Sequence, residues 1–149
     1  MLSRKAKYAL KALFVLAESP PRAPVLISEI AARARLPRKF LEQILLELKR
    51  RGLVHSQRGK HGGYTLAKPA GKIAFAEVIR AMDGPLALAP CASVTAYRRC
   101  EDCIDEKTCA IRKVLLAVRD AAAGILEGYT FADALAAGSP SASPVPVKR

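Results

Sequence analysis

Between residues 18 and 53 the chain carries two short runs of helical periodicity joined by only three residues, Ala34-Arg35-Leu36. This spacing constrains the fold more than any other feature. The first run puts Ile27, Ile30, Ala31 and Ala34 on one face, with Ser28 as a candidate N-cap. The second begins at Pro37, since proline at a first helical position needs no N–H partner. It turns Leu41, Ile44, Leu45 and Leu48 to one side, and Gly52 ends it. A leading helix over 3–18 has Leu10, Leu13, Phe14 and Ala17 at i, i+3, i+4 and i+7, Ser3 as its cap, and Pro20, Pro21 and Pro24 as its stop. A leading helix followed by two short helices about so tight a connection is the arrangement of a helix-turn-helix.

Beyond Gly52 the period changes to strand-like runs over 53–57 and 64–67. The intervening Arg58-Gly59-Lys60-His61-Gly62-Gly63 makes a glycine-rich hairpin tip. A helix-turn-helix with a basic hairpin is a winged helix, so the fold class predicted is mainly α with a small β-hairpin wing. A further helix is predicted over 73–84, with Ile73, Val78, Ile79 and Met82 apolar and Gly84-Pro85 closing it. Residues 86–109 lack periodicity. A long helix over 110–127 then carries Ile111, Leu115, Val118, Ala122 and Ile125 as an a/d-like seam, too short to hold a coiled coil alone. Thr130 and Asp133 have the spacing of a capping box and open a last short helix. The Ser/Pro-rich tail over 138–149 is predicted to be disordered.

Charge says what such a fold would meet. The 149-residue chain has a formal net charge of +12. Residues 1–72 hold 16 Lys and Arg against 4 Asp and Glu, whereas residues 73–149 hold 9 of each. The whole excess therefore lies on the winged-helix half and points to a polyanionic partner. No run approaches the length of a membrane span. The basic start, Arg4-Lys5-Ala6-Lys7, is interrupted by Lys11 and lacks a cleavage pattern, so a cytoplasmic protein is expected.

With Leu41, Ile44, Leu45 and Leu48 inward, the outward face of the third helix starts with Arg38, Lys39, Glu42 and Gln43. These groups read base edges: Arg and Lys donate to guanine, Gln pairs with adenine, and Glu accepts from cytosine. Arg58, Lys60 and His61 on the wing suit the phosphate backbone or a minor groove. Arg4, Lys5 and Lys7 can add phosphate contacts. The tip fits neither the Walker A nor the dinucleotide fingerprint, so nucleotide binding is not expected.

Cys91, Cys100, Cys103 and Cys109 all fall within 19 residues, spaced C-x8-C-x2-C-x5-C. Stable disulfides are not expected in a cytoplasmic chain. Four thiols in one irregular loop can hold an iron-sulfur cluster, a tetrahedral zinc or a reversible disulfide. Only Cys100-Glu101-Asp102-Cys103 is a zinc-type knuckle, and both histidines, His55 and His61, lie in the wing. Arg98, Arg99 and Lys107 would lower the thiol pKa values, while Glu101, Asp102, Asp105 and Glu106 would raise them.

Leu2-Ser3, Tyr8-Ala9-Leu10, 27–31, 39–45, Gly52-Leu53-Val54, Arg58-Gly59, Gly62-Gly63-Tyr64 and Leu66-Ala67 resemble the Rrf (type two) family of winged-helix transcription regulators over roughly residues 1–135. The resemblance implies a homodimer joined by the long C-terminal helix, with recognition helices and wings on palindromic promoter DNA. It also implies, in IscR-, NsrR- and RirA-like members, an iron-sulfur cluster, [2Fe-2S] or [4Fe-4S], held by three cysteines. Cys91, Cys103 and Cys109 fill that region here, with Cys100 as an addition. Arg112 stands where IscR-like members have a histidine ligand, and Lys7 where NsrR-like members have an aspartate. All-cysteine ligation follows, with Cys100 or Cys91 supplying the fourth donor. CymR-like members bind no cluster.

The resulting expectation is a DNA-binding repressor or activator, not an enzyme, that senses iron-sulfur, redox or nitric oxide status. Structural zinc or a thiol switch is the alternative. An electron carrier would leave the basic face unexplained, and a protein-docking adaptor would lack salt-sensitive DNA binding. Residues 1–72 form the DNA-binding domain, 73–137 the cysteine loop and dimerisation helix, and 138–149 the tail.

Overall fold

The computed structural model describes residues 1–138; the expected disordered tail, from residue 139 on, lies outside the described residues. Six α-helices and one hairpin follow in the order α1 (Arg4–Glu18), α2 (Ile27–Ala34), α3 (Arg38–Arg50), β1 (Val54–Gln57), β2 (Gly63–Leu66), α4 (Phe75–Asp83), α5 (Ala110–Gly128) and α6 (Phe131–Ala137). Two 3-10 turns, Ala70–Lys72 and Pro90–Ala92, lead into α4 and begin the cysteine loop. The architecture is the mainly α winged helix that the periodicity predicted.

The cap at Ser3 is as predicted, its Oγ accepting the Ala6 N–H at 3.0 Å. The buried stripe of α1 is shifted from the expected one: of Leu10, Leu13, Phe14 and Ala17 only Leu13 is buried, the other three packing partly buried against the core. Ala6, Ala9, Ala12, Leu13, Val15 and Leu16 are all buried, because α1 packs against α2, α3, α4 and α6. Ser28 does not cap α2, which starts one residue earlier behind Leu26. The entry to α2 is set instead by Val25. Its N–H donates to the Tyr64 carbonyl at 2.9 Å and its carbonyl accepts the Tyr64 N–H at 2.8 Å, pinning the connector to the wing.

The three-residue connection is made by Arg35 at φ 54, a left-handed residue that lets the Leu36 N–H reach the Ala31 carbonyl at 2.9 Å. Pro37 sits at the N-cap of α3 and not inside it, its carbonyl accepting the Leu41 N–H. At the other end Gly52 (φ 71) donates to the Lys49 carbonyl, and the Leu53 N–H donates to the Leu48 carbonyl at 2.9 Å. That pair of bonds is a Schellman motif. It drops Leu53 into the core and starts β1, which pairs antiparallel with β2 from Val54↔Leu66 to Gln57↔Gly63.

The core crosses the charge boundary at residue 72. Leu13, Ile30, Leu41, Ile44, Leu45, Leu48, Leu53 and Val54 share one cluster with Ile73, Val78 and Phe131. Phe131 stacks on Phe75 with ring centroids 4.9 Å apart and leans on Phe14 at the same distance. Ile73 is buried but lies ahead of α4, in a short bridge between Ala74 and Thr130 that returns the chain after α5 to the winged helix. The predicted capping box is present. Thr130 accepts the Asp133 N–H, and the Asp133 carboxylate accepts the Thr130 N–H at 2.9 Å.

No residue of α5 is buried. Ile111, Val114, Val118 and Ile125 are between 42% and 72% exposed, an apolar face with nothing packed on it among the described residues. Its other side meets α4 and the turn at Pro90–Ala92, and Arg80 forms an ion pair with Glu127.

Candidate nucleic-acid interface and cysteine loop

Folding α3 against α1 and α2 leaves Arg38, Lys39, Glu42 and Gln43 exposed on its outward face. Arg38 and Glu42 pair across one turn at 3.4 Å. Both are more than half exposed, so the pair is worth only about 0.3–0.5 kcal/mol and locks neither side chain. Glu47, further along α3, is already occupied by Arg51 at 3.0 Å. The Arg51 hydrogen bond holds its carboxyl below the usual carboxylate range, with Lys5 and Arg50 adding to the effect.

The wing brings Arg58, Lys60 and His61 to one exposed tip. Glycine is required there by contact. A Cβ on Gly62 would lie 2.4 Å from the Gln57 carbonyl oxygen, and Gly59 has φ 103. Residues 51–76 contain no Asp or Glu, so nothing offsets the positive charge of the wing from within it. Of the N-terminal basic residues, Arg4 and Lys7 are exposed and Lys5 is half-buried toward Glu47.

Between α3 and the wing lies a recess of about 420 Å³, lined by Leu26, Leu46, Lys49, Ser56, Arg58 and Tyr64. Lys49 donates to Ser56 Oγ at 2.6 Å and so ties the helix to β1. Sequence reasoning stopped at Gln43. Two further i+3 steps along the outward face, from Gln43 through Leu46, lead to Lys49.

The four cysteines are free thiols. Cys91 is buried in the turn Pro90–Ala92, whereas Cys100, Cys103 and Cys109 are half-buried. Cys109 caps α5, its Sγ accepting the Arg112 N–H at 3.4 Å. The thiol placed beside Cys91 is Cys100. A hydrogen bond with Cys91 is the main cause pushing the Cys100 thiol up, followed by burial and by Cys91, Asp102 and Cys109 as neighbouring negative charges.

The competition between basic and acidic neighbours is settled by geometry for this thiol. Arg99 is turned away, onto the carbonyls of Cys103 and Ile104 at 2.9 and 3.1 Å. The acidic residues are partly spent on the loop itself. Asp105 accepts from the Lys107 N–H and the Thr108 hydroxyl, each at 3.0 Å, and Glu106 from the Tyr97 hydroxyl. Among the described residues no three His, Cys, Asp or Glu side chains stand close enough together to hold a metal ion. No helix among them is long and apolar enough to cross a membrane.

A helix-turn-helix whose second helix exposes a polar face, a basic glycine-tipped wing and a long helix beyond them define a winged-helix DNA-binding protein. The chain matches the family model described as Rrf2, iron-dependent transcriptional regulator, over residues 2–137. It belongs to the Rrf2 family of transcriptional regulators, DNA-binding proteins and not enzymes. A relative from Rhodobacter capsulatus, described as an rrf2-like HTH-type transcriptional regulator, is 45% identical over 145 residues, covering 95% of this chain and 97% of the relative. Among solved structures, CymR of B. subtilis, the global cysteine regulator, superposes with a TM-score of 0.76 at 29% identity, covering 91% of this chain and 96% of CymR. IscR of T. potens gives 0.75 at 27% identity, covering 98% and 93%.

Proposed function

We propose that this chain is a homodimeric regulator that reads palindromic promoter DNA and whose cysteine loop holds an iron-sulfur cluster. The observation that carries the DNA reading is the exposure of Arg38, Lys39, Glu42 and Gln43 on α3 together with that of Arg58, Lys60 and His61 on the wing. Lys49 and Arg58 flank the recess between them. Phosphate contacts from the wing set register, and α3 supplies the base contacts. Residues 1–72 supply the reading surface, and 73–137 supply sensing and pairing.

The exposed apolar face of α5 supports pairing. Ile111, Val114, Val118 and Ile125 form a stripe that a second copy covers with the same stripe, as two-fold symmetry requires. Two half-sites then meet two recognition helices.

The donor set of the loop suits a thiophilic metal centre in its chemistry: four free thiols within 19 residues and no histidine in the loop. Cys91, Cys100, Cys103 and Cys109 would supply the four donors. A bound cluster supplies a redox- and nitric-oxide-sensitive charge at the start of α5. The chain's own part is mechanical. Cys109 caps α5 and Cys91 lies in the turn packed on it, so a change in the loop reaches the helix that sets half-site spacing. One misplaced base contact costs about 1–3 kcal/mol, enough to switch occupancy. The second reading, structural zinc or a Cys91/Cys100 thiol switch without cluster, is favoured by the contact between those two thiols.

Anaerobic purification with iron, sulfide and zinc analysis tests the site. Visible absorbance with iron and sulfide, lost in Cys109→Ala and accompanied by altered operator affinity, supports the cluster. Stoichiometric zinc, or a bare protein, supports the second reading. DNA affinity that is equal with and without cluster would sink the sensor.

A further inference from the structure

Two arginines on α5 spend their guanidinium groups on the backbone of the turn that carries Cys91. Arg112 Nε donates to the Cys91 carbonyl at 3.1 Å. Arg119 Nη1 donates to the Ala92 carbonyl at 2.8 Å. They are seven residues apart, two turns along α5, and so lie on the same side of the helix. Arg119 also holds Asp120, but Arg112 forms no ion pair among the described residues. The backbone N–H of Arg112 meanwhile donates to Cys109 Sγ. One residue thus touches both ends of the cysteine loop, Cys109 through its main chain and Cys91 through its side chain.

The turn needs such support. Cys91, Ala92 and Ser93 are all buried, yet the turn is a single 3-10 turn whose own bonds are Ala92 N–H to Ala89 and Ser93 N–H to Pro90. A buried carbonyl without a donor is costly, and here both free carbonyls are met by guanidinium groups. Arg112 also carries its charge beside the cysteine loop with no carboxylate partner among the described residues, so an anionic group there would complete it. Thiolates bound to a metal would be such a group.

We propose that Arg112 is the positioning residue of the thiol site, holding Cys91 against Cys109 and supplying the positive charge that an anionic thiolate centre lacks, with Arg119 as the second point of the same clamp. The inference rests on reading the loop as a ligand site. Arg112 acts through Cys91 and Cys109 and is not itself a ligand.

The test compares full-length wild type with Arg112→Gln, Arg112→Lys and Arg119→Gln, all first prepared metal-free. Hydrogen exchange at the Ala92 and Ser93 amides is expected to speed up about tenfold in Arg112→Gln and in Arg119→Gln, with the protection of α1 and α3 unchanged. Cobalt(II) is then titrated into each, following the thiolate-to-cobalt charge-transfer band. Affinity is expected to fall about tenfold in Arg112→Gln, to recover in Arg112→Lys, which keeps the charge and a donor, and to fall less in Arg119→Gln. Unchanged exchange at Ala92 and Ser93 in both glutamine variants overturns the clamp. Equal cobalt affinity in wild type and Arg112→Gln overturns the charge role. If no variant and no wild type binds cobalt, the ligand-site reading fails, while the exchange data still decide the clamp.

Discussion

Replacing Gly63 by alanine tests how the wing is held to the rest of the winged helix. Gly63 opens β2 at φ 139, and a Cβ there would lie 2.5 Å from the Val25 carbonyl oxygen and 2.7 Å from its carbon. Both are backbone atoms, so no side chain can swing away. A non-glycine residue at that backbone angle costs about 1–3 kcal/mol. Relieving the overlap means opening the Val25–Tyr64 bridge, whose two hydrogen bonds measure 2.8 and 2.9 Å. Each such bond is worth about 0.5–1.5 kcal/mol net. Gly63→Ala is therefore expected to destabilise the chain by about 2–6 kcal/mol, a large share of a domain's typical 5–15.

Two controls separate the contributions. Gly59→Ala meets nothing within 4 Å at φ 103, so it carries strain alone, about 1–3 kcal/mol. At Gly71 a Cβ meets only Ala132 at 3.7 Å and no positive φ is involved, so Gly71→Ala should be neutral within about 0.5 kcal/mol or slightly stabilising. Urea unfolding of the three variants gives the free energies, and hydrogen exchange at Val25 and Tyr64 reports the bridge. A Gly63→Ala protein within about 1 kcal/mol of wild type, with those two amides still protected, would refute the reasoning.

Removing both wing cations in Arg58→Ala/Lys60→Ala should weaken operator and non-specific DNA alike and lower the salt slope by about two, measured by anisotropy over a salt series. In contrast, Gln43→Ala should relax preference at one base pair, by about 1–3 kcal/mol of discrimination, with the salt slope unchanged. Val118→Glu puts a charge in the exposed stripe of α5. Thermal stability of the single chain should stay within about 0.5 kcal/mol because the site is open, while sedimentation shifts to monomer and affinity for a palindrome drops toward that for a half-site. The hydrogen bonds from Thr130 hold the Asp133 carboxyl below its ordinary value, so the cap's contribution is full above the ordinary carboxylate range and is lost as pH falls through the lower folded value. Thermal melts between neutral pH and about pH 3 should show that component in wild type and not in Asp133→Asn.

Most of the secondary structure was legible because it is decided within one or two helical turns. The stripe Leu41, Ile44, Leu45 and Leu48, the stop at Gly52, the cap at Ser3 and the box at Thr130 and Asp133 each depend on residues three or four apart, and each is where the spacing put it. The basic face was legible for the same reason, since burying one side of α3 dictates the other. Ser28 misled because capping preference is local, whereas the start of α2 is fixed by a strand bridge to Tyr64, 36 positions beyond Ser28 in the sequence.

By itself, then, the sequence determined the helix-turn-helix, the wing and the charge they carry, as local periodicity and composition suffice for those. Only the tertiary structure decided what depends on distant segments meeting. It ran one core across residue 72 by returning Phe131 onto Phe14 and Phe75. It set Cys100 beside Cys91. It turned Arg112 from an apparent gap in a ligand pattern into a group bridging Cys91 and Cys109. The irregular loop over 86–109 has no period from which such contacts could be read, and its order comes from what α5 and the turn at Cys91 offer it.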